Sequence, residues 1–405
     1  MNIWSISIRN LKSKPLYTFL SIFILTLSIV LLLGIQQLEN SFKYQMENNL
    51  GNIDLVIGAK GSPLQLVLAS VLHMDNPTGN ILYEDAKKIS KNPLIKTAVP
   101  ISYGDNYKGY RIVGTNTKFL KLYNAKIGVG TIVKNTMEVV LGYEVAKQLH
   151  LKIGSTFLSS HGLIENNIDV HSERLKVVGI LKPTQKVIDR LIITNLESVW
   201  EVHHHTENHE HEIDKSHLKD FDEAKEITSL LVSFRTPSAL LTFPRKINKE
   251  TNMQAALPKY ELDRLYRFTG VGLNTISWIA YMILVISCIT IFISLYKMVK
   301  ERAFDLALLR TYGASNFQLI KMVAYEGFLI GFLALLFGLI VTEVGLYFIT
   351  NIIEIGGKLN LLQQFPIKEF FKTGMVVFSM IILSILLAIY PIIKINISTI
   401  LSHEE

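Results

Sequence analysis

Four long apolar runs constrain this chain more than any other feature. Residues 17–35 (YTFLSIFILTLSIVLLLGI) and 276–296 (ISWIAYMILVISCITIFISLY) contain no charged residue. Residues 327–350 contain one, Glu343, and the fourth run, 373–393, includes Pro391 and stops before Lys394. About 20 residues of helix rise about 30 Å, the thickness of a bilayer's hydrocarbon core. A helix of that length in a soluble protein would carry a charged face. The runs predict four transmembrane helices. The first has the basic flank of a signal peptide, but it is longer than a signal core and no small-x-small cleavage site follows, so it reads as an uncleaved helix.

Composition now makes sense. A mean hydropathy of +0.31 beside 19% charged residues describes very apolar segments joined to an ordinary polar domain. The formal charge of +7 is then no sign of nucleic-acid binding, because part of it orients the spans. Lys and Arg collect on cytoplasmic flanks. Arg9, Lys12 and Lys14 precede the first span, and Lys297, Lys300, Arg302, Arg310 and Lys321 lie between the second and third. Within 1–38, which holds the N-terminus and the first span, residues 1–16 are expected to be cytoplasmic, as are the connection 297–326 and the tail 394–405. Segment 39–275 and the loop 351–372 are expected outside a bacterial cytoplasmic membrane.

The outside segment reads as a mixed α+β domain. GNIDLVIGAKGS, GYRIVGTN, MEVVLGYE, RLKVVGIL and RLIITNL are β-branched runs bounded by Gly or Asn, hence strands. YEDAKKISKN and YEVAKQLHL carry helical spacing. The single cysteine, Cys288, falls in the second span, so this domain has no disulfide. IQQLENSFKYQMENNL after the first span and PKYELDRLYRFTGVGLN before the second are amphipathic and suit helical stalks or surface helices. LQLVLASVLHM, between glycine- and proline-containing loops, suits an apolar helix that is either buried in the core or in contact with lipid or a partner.

Enzyme signatures do not stand out. There is no G-x-x-x-x-G-K-[ST] phosphate loop, no nucleophile elbow and no H-E-x-x-H. His150, His161 and His171 are scattered. Glu343 is the one ionisable residue in the runs, too few for a conventional ion pathway.

Residues 297–326 read KMVKERAFDLALLRTYGASNFQLIKMVAYE. Phe304, Leu308 and Leu309 share a helical face, opposite Glu301, Arg302, Asp305 and Arg310. Gly313 suits a helix C-cap, and Ser315 or Asn316 can cap the next helix. Pattern alone describes a short interfacial helix and a sharp turn.

E-R-x-x-D-L-A-L-L-R-T-Y-G-A-S is similar to the E-R-x-x-E-I-x-x-L-R-A-x-G-A-S signature of the FtsX/MacB-like ABC transporter permeases. The N-terminal entry ISIRNLKSKPLYTFLSI and the four-span topology with a large MacB-like domain between spans one and two also resemble that family. Asp305 replaces Glu, and Thr311-Tyr312 replaces Ala-x. The resemblance implies a non-catalytic permease subunit working by mechanotransmission. A separate ABC ATPase, holding ATP and Mg, would contact Glu301, Arg302, Asp305, Leu308, Arg310, Gly313, Ala314 and Ser315. It also implies a dimer of this chain and an outer partner in the envelope. Lipid or lipoprotein extraction, small-molecule export and metal-linked transport are all open, and a non-transport regulator that activates an extracytoplasmic partner is the alternative.

Glu201–His217 reads EVHHHTENHEHEIDKSH. His203, His204, His205, His209, His211 and His217, interleaved with carboxylates, are zinc-type ligands. The run is expected to be a polar loop, either incidentally metal-binding or a zinc site, and it gains charge below about pH 6.5.

Overall fold

The computed structural model describes residues 3–13, 15–160, 170–202, 225–301, 304, 308, 311–313, 315–352 and 367–393. Its helices are α1 (Ile3–Ser13), α2 (Pro15–Leu50), α3 (Pro63–Ser70), α4 (Tyr83–Ser90), α5 (Lys118–Leu122), α6 (Tyr143–Gln148), α7 (Ala239–Glu250), α8 (Pro258–Glu301), α9 (Asn316–Ile352) and α10 (Ile367–Ile393). The strands are β1 (Leu55–Ala59), β2 (Ile81–Leu82), β3 (Ile95–Tyr107), β4 (Tyr110–Thr115), β5 (Ile127–Gly130), β6 (Glu138–Leu141), β7 (Thr156–Ser160), β8 (Val170–Leu181), β9 (Ile192–Asn195), β10 (Glu226–Ile227), β11 (Ser229–Phe234) and β12 (Met253–Ala256). Two compact units result, Met1–Phe42 with Phe268–Glu405, and Lys43–Arg267.

The first unit holds the apolar helices. Among the described residues, four helical stretches are long and apolar enough to cross a membrane: Pro15–Leu50, Pro258–Glu301, Phe317–Ile349 and Phe370–Tyr390. Lipid offers helices no hydrophobic reason to associate, so close packing and polar contacts must hold them together. Both are present. On α9, Gly327 and Gly331 lie one turn apart, and a Cβ at either would meet Ile385 or Ile381 of α10 within 2.7 and 2.1 Å. Gly338 does the same for Ile29 of α2, where a Cβ would lie 2.6 Å from Cγ2. Hydroxyls add ties. Ser28 Oγ donates to the Ala280 carbonyl (3.3 Å) and Thr26 Oγ1 to that of Ala334 (3.4 Å). Ser384 Oγ donates to the Cys288 carbonyl at 3.0 Å, and Cys288 Sγ lies 2.9 Å from Ser384 Oγ.

The second unit is built on a ten-stranded sheet ordered β12-β1-β11-β3-β4-β9-β6-β8-β5, with β7 pairing β3 and β8. β2 and β10 form a separate pair. Most neighbours are antiparallel, but β4–β9 and β6–β8 are parallel, with Val113 opposite Ile193 and Val139 opposite Val177. β1, β4, β6, β8 and β9 lie where the β-branched runs place them, and α4 and α6 match the two helical spacings. The apolar helix α3 is shorter than LQLVLASVLHM. Ser62 caps it by accepting from Gln65 N, Pro63 starts it, and it stops at Ser70 before His73 turns left-handed at φ 54°. Leu66, Val67, Ala69 and Val71 are fully buried, so the core takes this helix. Gly58 of β1 admits it, since a Cβ there would lie 2.5 Å from Leu66 Cδ1. Also within this unit, Met46 and Leu50 of α2 share a core with Leu262 and Leu265 of α8.

Candidate functional site

The segment after α8 begins with Lys297. Its Nζ donates to the Tyr17 hydroxyl at 2.7 Å, sits 4.6 Å from the Tyr17 ring centre, and lies 3.8 Å from Glu301 Oε1. Beyond Glu301, residues 304, 308 and 311 are helical. Tyr312 N donates to the Leu308 carbonyl at 3.1 Å, and Thr311 Oγ1 donates to the same carbonyl at 2.7 Å. Gly313 then turns with φ 94°, a left-handed conformation that ends helices without a Cβ penalty. Ser315 starts α9 through a reciprocal pair: its N–H donates to Gln318 Oε1 (3.0 Å) and its Oγ accepts from Gln318 N (3.3 Å). That is a capping box, which satisfies two otherwise orphaned N–H groups. Tyr312 and Phe317 flank the turn and are strongly exposed, at 81% and 71%.

The base of α9 is held by α1. Ser7 Oγ donates to the Met322 carbonyl at 3.2 Å, and Asn10 Nδ2 donates to Glu326 Oε1 at 2.6 Å. Ser7, Asn10 and Glu326 are all buried. Trp4 meets Tyr325 edge-on, with ring centres 5.5 Å apart. Glu326 stands one residue before the expected start of the third span at Gly327. The hydropathy boundary at Gly327 excludes Glu326, yet the apolar helical stretch starts at Phe317. Burial there is tolerable because the Asn10 amide donates to the carboxylate. Glu343 is half-buried and lines a small cavity with Gln37, Thr342 and Phe370.

Of the residues expected to contact an ATPase, Glu301, Leu308, Gly313 and Ser315 are placed by the structure on this segment. Arg302, Asp305, Arg310 and Ala314 lie outside the described residues, as do His203, His204, His205, His209, His211 and His217. Among the described residues no three His, Cys, Asp or Glu side chains converge.

The sheet unit carries two polar features that sequence reasoning did not single out. A cleft of about 490 Å³ opens at the carboxyl ends of the parallel pair β4–β9, lined by Thr115, Asn116, Lys134, Asn195 and Glu197 among others. Beneath α3, His73 Nδ1 bonds the Tyr103 hydroxyl at 2.8 Å, and that hydroxyl donates to the Ala69 carbonyl. Arg111 stacks 4.4 Å from the Tyr103 ring centre and donates to the Asp75 carbonyl at 2.8 Å. Burial, with Arg111 adding its charge, lowers the His73 pKa to about 3. Burial also raises that of Tyr103. Both side chains are neutral ties for the loop after α3.

Four apolar helices with a mixed α/β domain inserted between the first two define a polytopic membrane subunit. Comparison with known proteins gives its family. The FtsX-like permease C-terminal model matches residues 277–398, and the MacB-like periplasmic core domain model matches residues 18–240, more than half of the chain. A lipoprotein-releasing system transmembrane protein, LolC of Buchnera aphidicola subsp. Schizaphis graminum, is 23% identical over 339 residues, covering 78% of this chain and 76% of that protein. The periplasmic region of MacB from Actinobacillus actinomycetemcomitans is 12% identical with a TM-score of 0.34, covering 54% of this chain and 94% of that one. The extracellular domain of the ABC-type transporter YknZ from Gram-positive bacteria is 12% identical with a TM-score of 0.31, covering 50% and 98%. The chain belongs to the FtsX/MacB-like family of ABC transporter permeases.

Proposed function

We propose that this permease subunit couples ATP hydrolysis on a separate ATPase to movement of its sheet domain, with both termini in the cytoplasm. The observation that carries the reading is the capped turn at 311–318. Gly313 at φ 94° and the Ser315–Gln318 box mark an exposed turn at the start of α9, which suits a docking element. The family signature over Glu301–Ser315 supplies the partner class. The lengths of α2 and α8, 36 and 44 residues, well above the roughly 20 that a span needs, supply candidate levers. Two copies of this chain with two ATPase subunits complete the assembly.

Deleting residues 300–315 tests the docking. The ATPase that co-purifies with the full chain should be lost, and its retention would sink the assignment. The name of the LolC relative makes a lipid-modified protein the first substrate to try. Proteoliposomes holding the complex should release it under ATP. A complex that only changes an outer partner's activity would favour the regulator reading. For the histidine run we propose zinc binding. Calorimetry on the full chain with and without residues 203–217 should show a site that the deletion removes.

A further inference from the structure

Within the membrane unit, a crevice of about 160 Å³ lies between α2 and α8, lined by Tyr17, Leu20, Ser21, Thr290, Ile293, Ser294 and Lys297. Its chemistry is graded. Leu20 and Ile293 form apolar walls whose outer sides are about half exposed, at 46% and 54%. Lys297 and Tyr17 stand at one end, joined by their 2.7 Å hydrogen bond. Ser21 is 1% exposed, lines the crevice, and its Oγ has no hydrogen-bond partner among the described residues. A buried hydroxyl without a partner is costly and calls for explanation. α8 is also the least covered of the four spans, with 22% of its apolar window buried against 39% for each of the others. Among the described residues, Leu20 and Ile293 beside the crevice are accordingly left exposed.

We propose that the crevice is a binding site for one anionic phospholipid, an acyl chain lying between Leu20 and Ile293 and the headgroup phosphate on Lys297. An apolar slot closed at one end by an ammonium matches an amphiphile with an anionic head. An ammonium carries three donors. Here one goes to Tyr17 and one to Glu301 at the long distance of 3.8 Å, an ion pair between half-exposed groups that contributes little. A phosphate replaces that weak contact at small cost. The ester oxygens below the phosphate are acceptors that the Ser21 hydroxyl lacks. Because Lys297 is one turn before Glu301, occupancy would also set which anion Lys297 holds at the start of the coupling segment.

The test is lipid retention by the full chain, measured by native mass spectrometry after exchange into detergent with equal phosphatidylglycerol and phosphatidylethanolamine. Wild type should keep one phosphatidylglycerol more than Lys297→Gln, with affinity lowered at least about tenfold in the variant. Ser21→Leu fills the crevice and should lose the same lipid while Lys297 is intact. Ile293→Phe fills it from a half-exposed position and serves if Ser21→Leu misfolds. Excess inorganic phosphate should leave retention unchanged. Equal retention in all variants, or displacement by inorganic phosphate, would overturn the proposal. So would variants that alter chain–chain association while binding lipid normally, since the crevice would then seat a second copy.

Discussion

Asn10→Leu is the sharpest probe of how the base of α9 is held. The Asn10–Glu326 bond is short, at 2.6 Å, and both side chains are buried, Glu326 at 1% and Asn10 at 6% exposure. Hydrogen bonds to charged groups in soluble proteins contribute about 1.5–3 kcal/mol. Interhelical bonds in membranes average about 0.6 kcal/mol and reach about 1.7. The short distance and the acidic partner place this bond at the upper membrane value, about 1.5 kcal/mol. The measurement is a double-mutant cycle with Asn10→Leu, Glu326→Leu and the pair, reading unfolding of the full chain in bicelles. Removing Asn10 alone should cost more than removing both partners, because it strips a donor from a buried carboxylate. Glu326→Gln keeps an acceptor oxygen and should lose least. A coupling energy below about 0.5 kcal/mol, within the usual non-additivity of independent sites, would refute the clamp.

Gly313→Val forces a β-branched residue to φ 94° and should cost about 1–2 kcal/mol locally. ATPase co-purification should weaken, less so for Gly313→Asn, and unchanged co-purification would remove Gly313 from the docking element. Gly338→Val drives a side chain into Ile29, which is fully buried. Overpacking of this kind costs about 1–3 kcal/mol and should lower the thermal midpoint of the detergent-solubilised chain, whereas Gly345→Val, with nothing within 4 Å of its Cβ, should not. His73 is neutral when folded down to about pH 3, while unfolded it protonates near 6.5. Its contribution is therefore unchanged above that value, and stability falls as pH drops from 6.5 toward 3, by at most about 1.4 kcal/mol per unit. Urea unfolding of His73→Asn, which tolerates the left-handed backbone, should show a shallower acid slope than wild type, and an identical slope would exclude His73 as a source.

The spans were legible because an uncharged run of that length has few other uses, and five strands were legible because Gly or Asn bounds each β-branched run. β3, a strand of 13 residues, was not. Its IKTAVPISYGDNY contains Pro, Gly, Asp and Asn, all of which argue against a strand. Tertiary pairing overrides them: Pro100 still takes a register opposite Leu230, and its carbonyl accepts from Thr115 Oγ1 at 2.8 Å. β11 was missed for the opposite reason. In SLLVSF, Leu230, Leu231 and Val232 stand in succession in a strand with neighbours on both sides, and three apolar residues in a row offer no alternation to read. At the candidate site, Gly313 and Ser315 were legible because caps are local. Asn10 and Glu326 were not, because their partnership spans 316 positions of sequence and no local pattern encodes it.

The placement of polar groups in the membrane unit bears on the proposed mechanism. A substrate path needs groups left available to the substrate. Here the hydroxyls of Ser7, Thr26, Ser28 and Ser384 each donate to a carbonyl on another helix, and Glu326 accepts from Asn10. These ties join α1 to α9, α2 to α8 and α9, and α8 to α10. α9, which starts at the capped turn, is bonded directly to α1 and α2 and packed through glycines against α10. A push on the turn would therefore reach every helix of this unit through close contacts and hydrogen bonds, without any helix having to open a polar channel. Under the proposed coupling, that is the division of labour the sequence of the spans favours. Ser21 at the crevice apart, the hydroxyls named here are spent on holding helices together, and under the same proposal the work leaves through the long helices α2 and α8.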